Sequence, residues 1–292
     1  MDNILEVSDL RKSYPQFRLD GVSFTVPEGC ITGFVGVNGA GKTTTLRTLL
    51  GLTRKDAGAV RFFGEDMDAH EPEIKNRIGV VLDEGCFYDD LTLDEMKSVI
   101  APAYSEWSES DYRRNLEAFS LNSKQKIGTL SKGMRMKYAL TLALSHKAEL
   151  LIMDEPTSGL DPIVRNLLLD VLRTYMSGPG RGVLFSTHIT SDLDKTADTL
   201  VMIDTGRIVL QEDKDTLLDR CRVVRGDRQL LTSDVRNLFR SIAETEYGFT
   251  GLTDRYKDVQ RVLPDVVMER ASVEDVMMAY AKGGEAQCSC TC

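Results

Sequence analysis

Apolar and polar positions alternate near the start of the chain. Ile4-Leu-Glu-Val7 and Val22-Ser-Phe-Thr-Val26 repeat every second residue, as strands with one buried face do, and turns are predicted at Tyr14-Pro15 and Asp20-Gly21. The continuous apolar run Ile31 to Val35 predicts a buried strand that leads into a glycine-rich turn. The spacing then changes. Thr43-Thr-Thr-Leu-Arg-Thr-Leu-Leu50 has helical periodicity and meets a stop signal at Gly51. Residues 91–145 are mostly helical in pattern, an insert between two strand-rich parts. Leu150 to Met153, Val183 to Phe185 and Leu200 to Ile203 read as buried strands, with a helix over Pro162 to Tyr175 among them. Strands alternating with helices imply a partly parallel sheet with helices packed on it.

Beyond Gly206-Arg-Ile-Val-Leu210 the pattern becomes mixed. A helix is predicted over Ser233 to Thr245. Another is predicted from Ser272 as N-cap, with Asp275 three residues on, through Met277, Met278 and Tyr280. The expected division is residues 1–215 as the main domain, with its helical part at about 91–145, then 216–284 as an accessory segment and 285–292 as a disordered tail. No internal repeat interrupts this order.

Composition changes this picture little. Apolar residues make up 42% of the 292 and charged residues 28%, as in an ordinary globular protein. The net charge of −9 disfavours nucleic acid as a partner. No apolar run reaches the roughly 20 residues that cross a bilayer, and the first residues lack the pattern of a signal peptide. A cytoplasmic location is therefore expected, and any membrane spans would have to come from another chain. Of six cysteines, Cys288, Cys290 and Cys292 cluster at the end. Their spacing does not match the common zinc patterns. A disordered thiol-bearing tail is the expected reading, with soft-metal or redox chemistry as the alternative.

The strongest chemical signal is Gly36-Val-Asn-Gly-Ala-Gly-Lys-Thr43, which fits G-x-x-x-x-G-K-[ST] between a strand and a helix. Glycines at 36, 39 and 41 let the backbone, including Asn38 and Ala40, curl around a phosphate without side-chain clashes. The helix that starts with Thr43 and Thr44 points its positive end at the same anion. Lys42 supplies a charge for the β- and γ-phosphates, and the Thr43 hydroxyl is placed to ligate Mg²⁺. ATP and Mg²⁺ are thus the expected ligands. Leu150-Leu-Ile-Met-Asp-Glu155 delivers two carboxylates to the end of a buried strand. Asp154 would hold Mg²⁺ through water, and Glu155 would polarise the attacking water.

Four further segments, in order, complete a resemblance: Tyr14, Leu130-Ser-Lys-Gly-Met134, Ser158-Gly-Leu-Asp161 and Ser186-Thr-His188. Over about residues 3 to 215 the chain resembles the ATP-binding-cassette ATPases. The resemblance implies a P-loop NTPase core of the α/β class, with an N-terminal antiparallel β-subdomain, an inserted α-helical subdomain and a small C-terminal α+β extension. It also implies a two-chain site, in which ATP on one subunit is capped by Ser131 and Gly133 of a second nucleotide-binding subunit, identical or different. His188 would be the switch histidine beside Glu155, Asp161 would cross the dimer interface, and Tyr14 would stack on adenine. The family's usual glutamine position is filled by Asp83, which could ligate Mg²⁺ with a shorter reach. Lys132 and Met134 replace a common glycine and glutamine, and Lys132 adds charge near the phosphates or the interface.

The function so implied is an ATP-hydrolysing subunit on the inner face of the membrane. It would power a separate transmembrane permease, in the manner of bacterial exporters of drugs, lipids or amphipathic peptides. Contact with the membrane partner is expected near Asp83 to Thr92. The alternatives are a cassette ATPase outside transport, in DNA repair or on the ribosome, and a degenerate cassette that binds ATP without turnover.

Overall fold

The computed structural model describes residues 2–82 and 87–286, with side chains described up to residue 281. The chain opens with a long antiparallel hairpin, β1 (Asn3–Tyr14) and β2 (Phe17–Pro27), whose tip pairs Tyr14 with Phe17. The turn expected at Tyr14-Pro15 is there. The one expected at Asp20-Gly21 is not, because Gly21 lies inside β2. Leu10 pairs with Val22 and Arg11 with Asp20, so Gly21 is an extra residue taken up at φ 75°. A glycine can absorb such a bulge without ending the strand.

Next come β3 (Ile31–Val35), α1 (Lys42–Leu49), β4 (Ala57–Phe62), β5 (Glu65–Asp66), α2 (Glu71–Asn76) and β6 (Ile78–Val81). β4 and β5 extend the hairpin into a four-stranded antiparallel sheet of order β2-β1-β4-β5. Helix α1 ends as its sequence predicts. Gly51 adopts φ 69°, Leu52 N donates to Arg47 O (2.9 Å) and Gly51 N to Thr48 O (3.2 Å), closing the last turn in a Schellman motif.

The helical insert holds α3 (Leu93–Ile100), α4 (Glu109–Ala118) and α5 (Lys132–Ala143). Thr92 and Glu95 form a reciprocal capping box at the start of α3. The buried Tyr138 of α5 donates its hydroxyl to Leu93 O at 2.8 Å, tying the first and last of these helices together.

Then follow β7 (Leu150–Asp154), α6 (Pro162–Met176), β8 (Gly182–Thr187), α7 (Thr190–Thr196), β9 (Thr199–Asp204) and β10 (Arg207–Asp213). They join β3 and β6 in a six-stranded sheet of order β10-β9-β3-β8-β7-β6, parallel except for β10. Every residue of β3, β7 and β8 is buried, which explains their unbroken apolar runs. Alternate residues of β7 serve two cores. Leu150 and Ile152 pack with Leu46, Leu49 and the N-terminal sheet, while Leu151 and Met153 pack on the helical side.

The C-terminal part holds α8 (Lys214–Arg220), β11 (Arg222–Gly226), α9 (Ser233–Arg236), β12 (Ser241–Thr245), β13 (Gly248–Thr253), α10 (Tyr256–Val262), β14 (Val267–Arg270) and α11 (Val273–Ala286). The helix expected over Ser233 to Thr245 is corrected here. Only its first turn forms, capped by Thr232, and Ser241–Thr245 is a strand registered from Ser241↔Leu252 to Thr245↔Gly248. Pairing with β13 and the seating of Phe239 over the bare face of Gly251 override the weak local helix preference. The antiparallel sheet has the order β12-β13-β11-β14.

Helix α11 starts as expected, with Ser272 and Asp275 exchanging hydrogen bonds of 2.9 and 3.2 Å. It packs on α7, and Val273 N donates to Asp194 Oδ1 (3.2 Å). The expected boundaries at 215 and 284 fall within α8 and α11 respectively. Asp83 and the three terminal cysteines lie outside the described residues. No helix among the described residues is long and apolar enough to cross a membrane.

Candidate functional site

The loop between β3 and α1 is shaped by contacts that exclude larger residues. A Cβ on Gly36 would lie 2.4 Å from Ile203 O, and Gly41 adopts φ 113° with Phe17 and Leu19 against it. Gly39 is also left-handed, at φ 82°, and its missing side chain leaves open space. Ala40 is buried and donates its N–H to Val37 O (3.1 Å), which tightens the loop. Gly41 ends the loop at the head of α1, where no side chain caps the free N–H groups. A cleft of about 810 Å³ opens here, lined by Asn38, Gly39, Gly41, Lys42, Thr43 and Thr44 from this side. Loop N–H groups and the positive end of α1 suit a phosphate.

Lys42 is only 6% exposed and folds back onto its own loop, with Nζ 2.7 Å from Gly36 O. It also lies 3.2 Å from Glu155 Oε1. A buried ammonium needs such partners. Glu155 follows β7 with φ 49°, an uncommon conformation for a residue with a side chain. Its N–H donates to Ser186 O (3.0 Å), anchoring the turn to β8. The turn aims the carboxylate sideways, with Oε2 2.7 Å from His188 Nδ1 and accepting from His188 N at 3.3 Å. Asp154, 4% exposed, accepts from Ser186 Oγ at 2.6 Å. The parallel register pairs Asp154 with Ser186 and so brings Glu155 and His188, from different strands, to the same edge.

Of the residues singled out from sequence, the cleft thus collects Tyr14, Asn38, Gly39, Gly41, Lys42, Thr43, Thr44, Glu155 and His188, while Gly36, Ala40 and Asp154 lie behind this lining. Ser131, Gly133 and Asp161 do not line it. Ser131 caps α5 by accepting from Met134 N (3.3 Å), and Asp161 caps α6 by accepting from Ile163 N (2.9 Å) and Val164 N (3.1 Å). Gly133 faces Leu160 and Val164, and the Lys132 chain runs beside Gly159. The two segments therefore share one packed surface. Gln16 and Phe17 also line the cleft beside Tyr14 and were not anticipated. Their signal was the hairpin register, which sets Phe17 opposite Tyr14. Ser186 as the holder of Asp154 was missed too, although it belongs to the Ser186-Thr-His188 motif.

The donors suit a hard dication. Among the described residues no three His, Cys, Asp or Glu side chains could cage a metal alone. A hydroxyl and a carboxylate beside a phosphate cradle match Mg²⁺, which characteristically shares its coordination with substrate phosphates.

The family model described as ABC transporter matches residues 19–158. The chain is 37% identical over 214 residues to the Nod factor export ATP-binding protein I of Ralstonia nicotianae, covering 71% of this chain and 66%, just under two thirds, of that protein. It is 34% identical over 225 residues to the bacitracin transport ATP-binding protein BcrA of Bacillus licheniformis, covering 76% of this chain and 74% of that one. A solved ATP-binding subunit of an ABC transporter superposes with a TM-score of 0.68 at 29% identity, over 74% of this chain and 92% of the other. The chain belongs to the ATP-binding-cassette transporter family, as one of its ATP-binding, ATP-hydrolysing subunits.

Proposed function

We propose that this subunit drives export, hydrolysing Mg·ATP in the cleft between the phosphate loop and the ends of β7 and β8. The observation that carries the reading is the convergence of Lys42 and His188 on the Glu155 carboxylate, 3.2 Å from Oε1 and 2.7 Å from Oε2 respectively. The loop N–H groups and Lys42 bind the phosphates and oppose the charge that gathers there. Glu155 takes the proton side of the attacking water. His188, hydrogen-bonded to that carboxylate, orients it. Tyr14 and Phe17 offer aromatic surface to the base. Thr43 and Asp154, with Asp83 in this reading, would hold Mg²⁺, which would supply positive charge against the phosphates.

Ser131 and Gly133 then serve a second subunit's ATP, in a homodimer or heterodimer, and Asp161 lies at that interface. Two facts support this. Ser131 heads a helix, and it is exposed without lining its own chain's cleft. The permease is a separate chain, so this subunit sits on the inner face of the membrane. The names of the relatives, for Nod factor export and bacitracin transport, support export over a role in DNA repair or on the ribosome. Drugs, lipids or amphipathic peptides are the cargo classes in view.

Glu155→Gln tests the reading. The variant is expected to bind ATP, lose turnover by about a thousandfold and accumulate as an ATP-bound dimer on size-exclusion chromatography. Hydrolysis at the parent rate would remove Glu155 from the chemistry.

A further inference from the structure

Helix α7 carries His188 just ahead of its first turn, yet has little of its own to hold it in place. It has seven residues, and its N-cap, Ile189, makes no side-chain capping bond. A helix this short is not stable by itself. Its position therefore depends on what it touches. Leu193 packs into the bare face of Gly33 on β3, where a Cβ would come within 2.7 Å of it. On the adjoining face stands Asp192, 0% exposed, with neither carboxylate oxygen hydrogen-bonded among the described residues. Its ion-pair partner among those residues is Arg165, Nε 3.8 Å from Oδ2. That Nε is likewise without a hydrogen bond among the described residues. A carboxylate sealed from water is strongly destabilising unless an opposite charge faces it.

Arg165 stands one turn into α6, where its N–H donates to Asp161 O (3.0 Å). The pair therefore joins two places. One is the start of α6, which Asp161 caps. The other is the helical turn directly after His188, since Asp192 is four residues further on. We propose that Arg165 and Asp192 are positioning residues for hydrolysis: the ion pair between the partly exposed Arg165 and the buried Asp192 fixes α7 against α6 and so sets His188 at hydrogen-bonding distance from Glu155. Neither touches ATP. The inference rests on the reading of Glu155 and His188 above.

The experiment is a double-mutant cycle in the full chain, measuring ATPase kcat and KM, with thermal unfolding alongside. Arg165→Gln is expected to lower kcat by about tenfold or more while KM for ATP changes little, since misplacement without lost contact is felt in turnover. Asp192→Asn should do the same, and the double variant should be no worse than the worse single one, because either change breaks the same link. Arg165→Lys, which keeps the charge, should recover part of kcat. Should Asp192→Asn fail to fold, Arg165→Gln and Arg165→Lys still decide the matter, because Arg165 is partly exposed. Unchanged kcat in Arg165→Gln, or strictly additive losses, would overturn the proposal. His188→Ala separates the two readings. If it abolishes turnover while Arg165→Gln leaves kcat unchanged, the clamp is wrong and the catalytic reading stands. If His188→Ala keeps full turnover, the catalytic reading itself fails.

Discussion

β7 and β11 are both five-residue strands in the middle of a sheet, and they treat charge in opposite ways. All of β7 is buried, and its acidic residues come only at the end, where the strand leaves the sheet. β11 carries Arg222 and Arg225 within the strand, and Arg225 stays on an exposed face, paired with Glu269 of β14. Around the end of β7, sheltered charges are held by partners: buried Lys42 pairs with the partly buried Glu155, and buried Asp154 accepts from Ser186 Oγ. Around β11, exposed charges face one another, as in Arg228 and Arg236 with Glu244, or Arg240 with Asp254. A buried charge is tolerated only with a partner and signals a task. An exposed pair is a solvated surface. The difference assigns chemistry to one sheet and scaffolding to the other, and it can be broken at either.

The largest effect is expected at Lys42. Lys42→Ala removes the cation between Gly36 O and Glu155 Oε1 and leaves the carboxylate facing an empty loop. ATPase turnover should fall by roughly a hundred- to a thousandfold, about 3–4 kcal/mol of transition-state stabilisation. Steady-state ATPase assays with nucleotide-binding titrations measure this. A loss below fivefold would mean that burial of charge at this edge is structural, and the contrast with β11 would collapse.

The two sheets also differ in how far their sequences reveal them. The phosphate loop could be read directly because its chemistry is contiguous: Gly36 to Thr43 carry both the backbone freedom and the cation. The six-stranded sheet showed in unbroken apolar runs such as Leu150 to Met153. What escaped was set by contacts between distant segments. Nothing in the local pattern announces the left-handed backbone of Glu155, whose N–H is held by Ser186 O on another strand. Phe17 joins the cleft through hairpin register. In the C-terminal sheet, Ser241–Thr245 is short and weakly patterned, so its state is decided by β13. Arg165 and Asp192 lie 27 positions apart and belong to no motif; only packing brings them together.

His146 sharpens the comparison, because it is buried without a charged partner. It is 1% exposed and stacks on Tyr104, ring centroids 3.8 Å apart. Burial pushes its pKa down from 6.5 to about 4. The folded chain therefore holds it neutral, while the unfolded chain takes up a proton below about pH 6.5. Stability from this group is fully present above that pH and is lost as pH falls towards about 4, by roughly 3 kcal/mol in all. Urea unfolding at about pH 7 and about pH 5 should show a steeper loss in the parent than in His146→Phe, which keeps an aromatic ring on Tyr104. Equal slopes would mean that the folded protein accommodates the charge, and that burial alone does not distinguish the nucleotide edge.

The smallest effect is expected on the open face of β11. Arg225 Nη1 lies 3.1 Å from Glu269 Oε2, but the side chains are 56% and 52% exposed. Water already solvates both groups, and ordering two long side chains offsets most of the attraction. Arg225→Ala, Glu269→Ala and the double variant should give a coupling energy of about 0.5 kcal/mol or less by urea unfolding, shrinking further in high salt. ATPase activity should stay at the parent level, since neither residue lines the nucleotide cleft. A coupling energy above about 2 kcal/mol would show that this pair is sheltered, which its exposure in the isolated subunit does not provide. The shelter would then have to come from another chain lying across β11 and β14. The C-terminal sheet would be an interface, and the division between a working sheet and a supporting one would have to be redrawn along that contact.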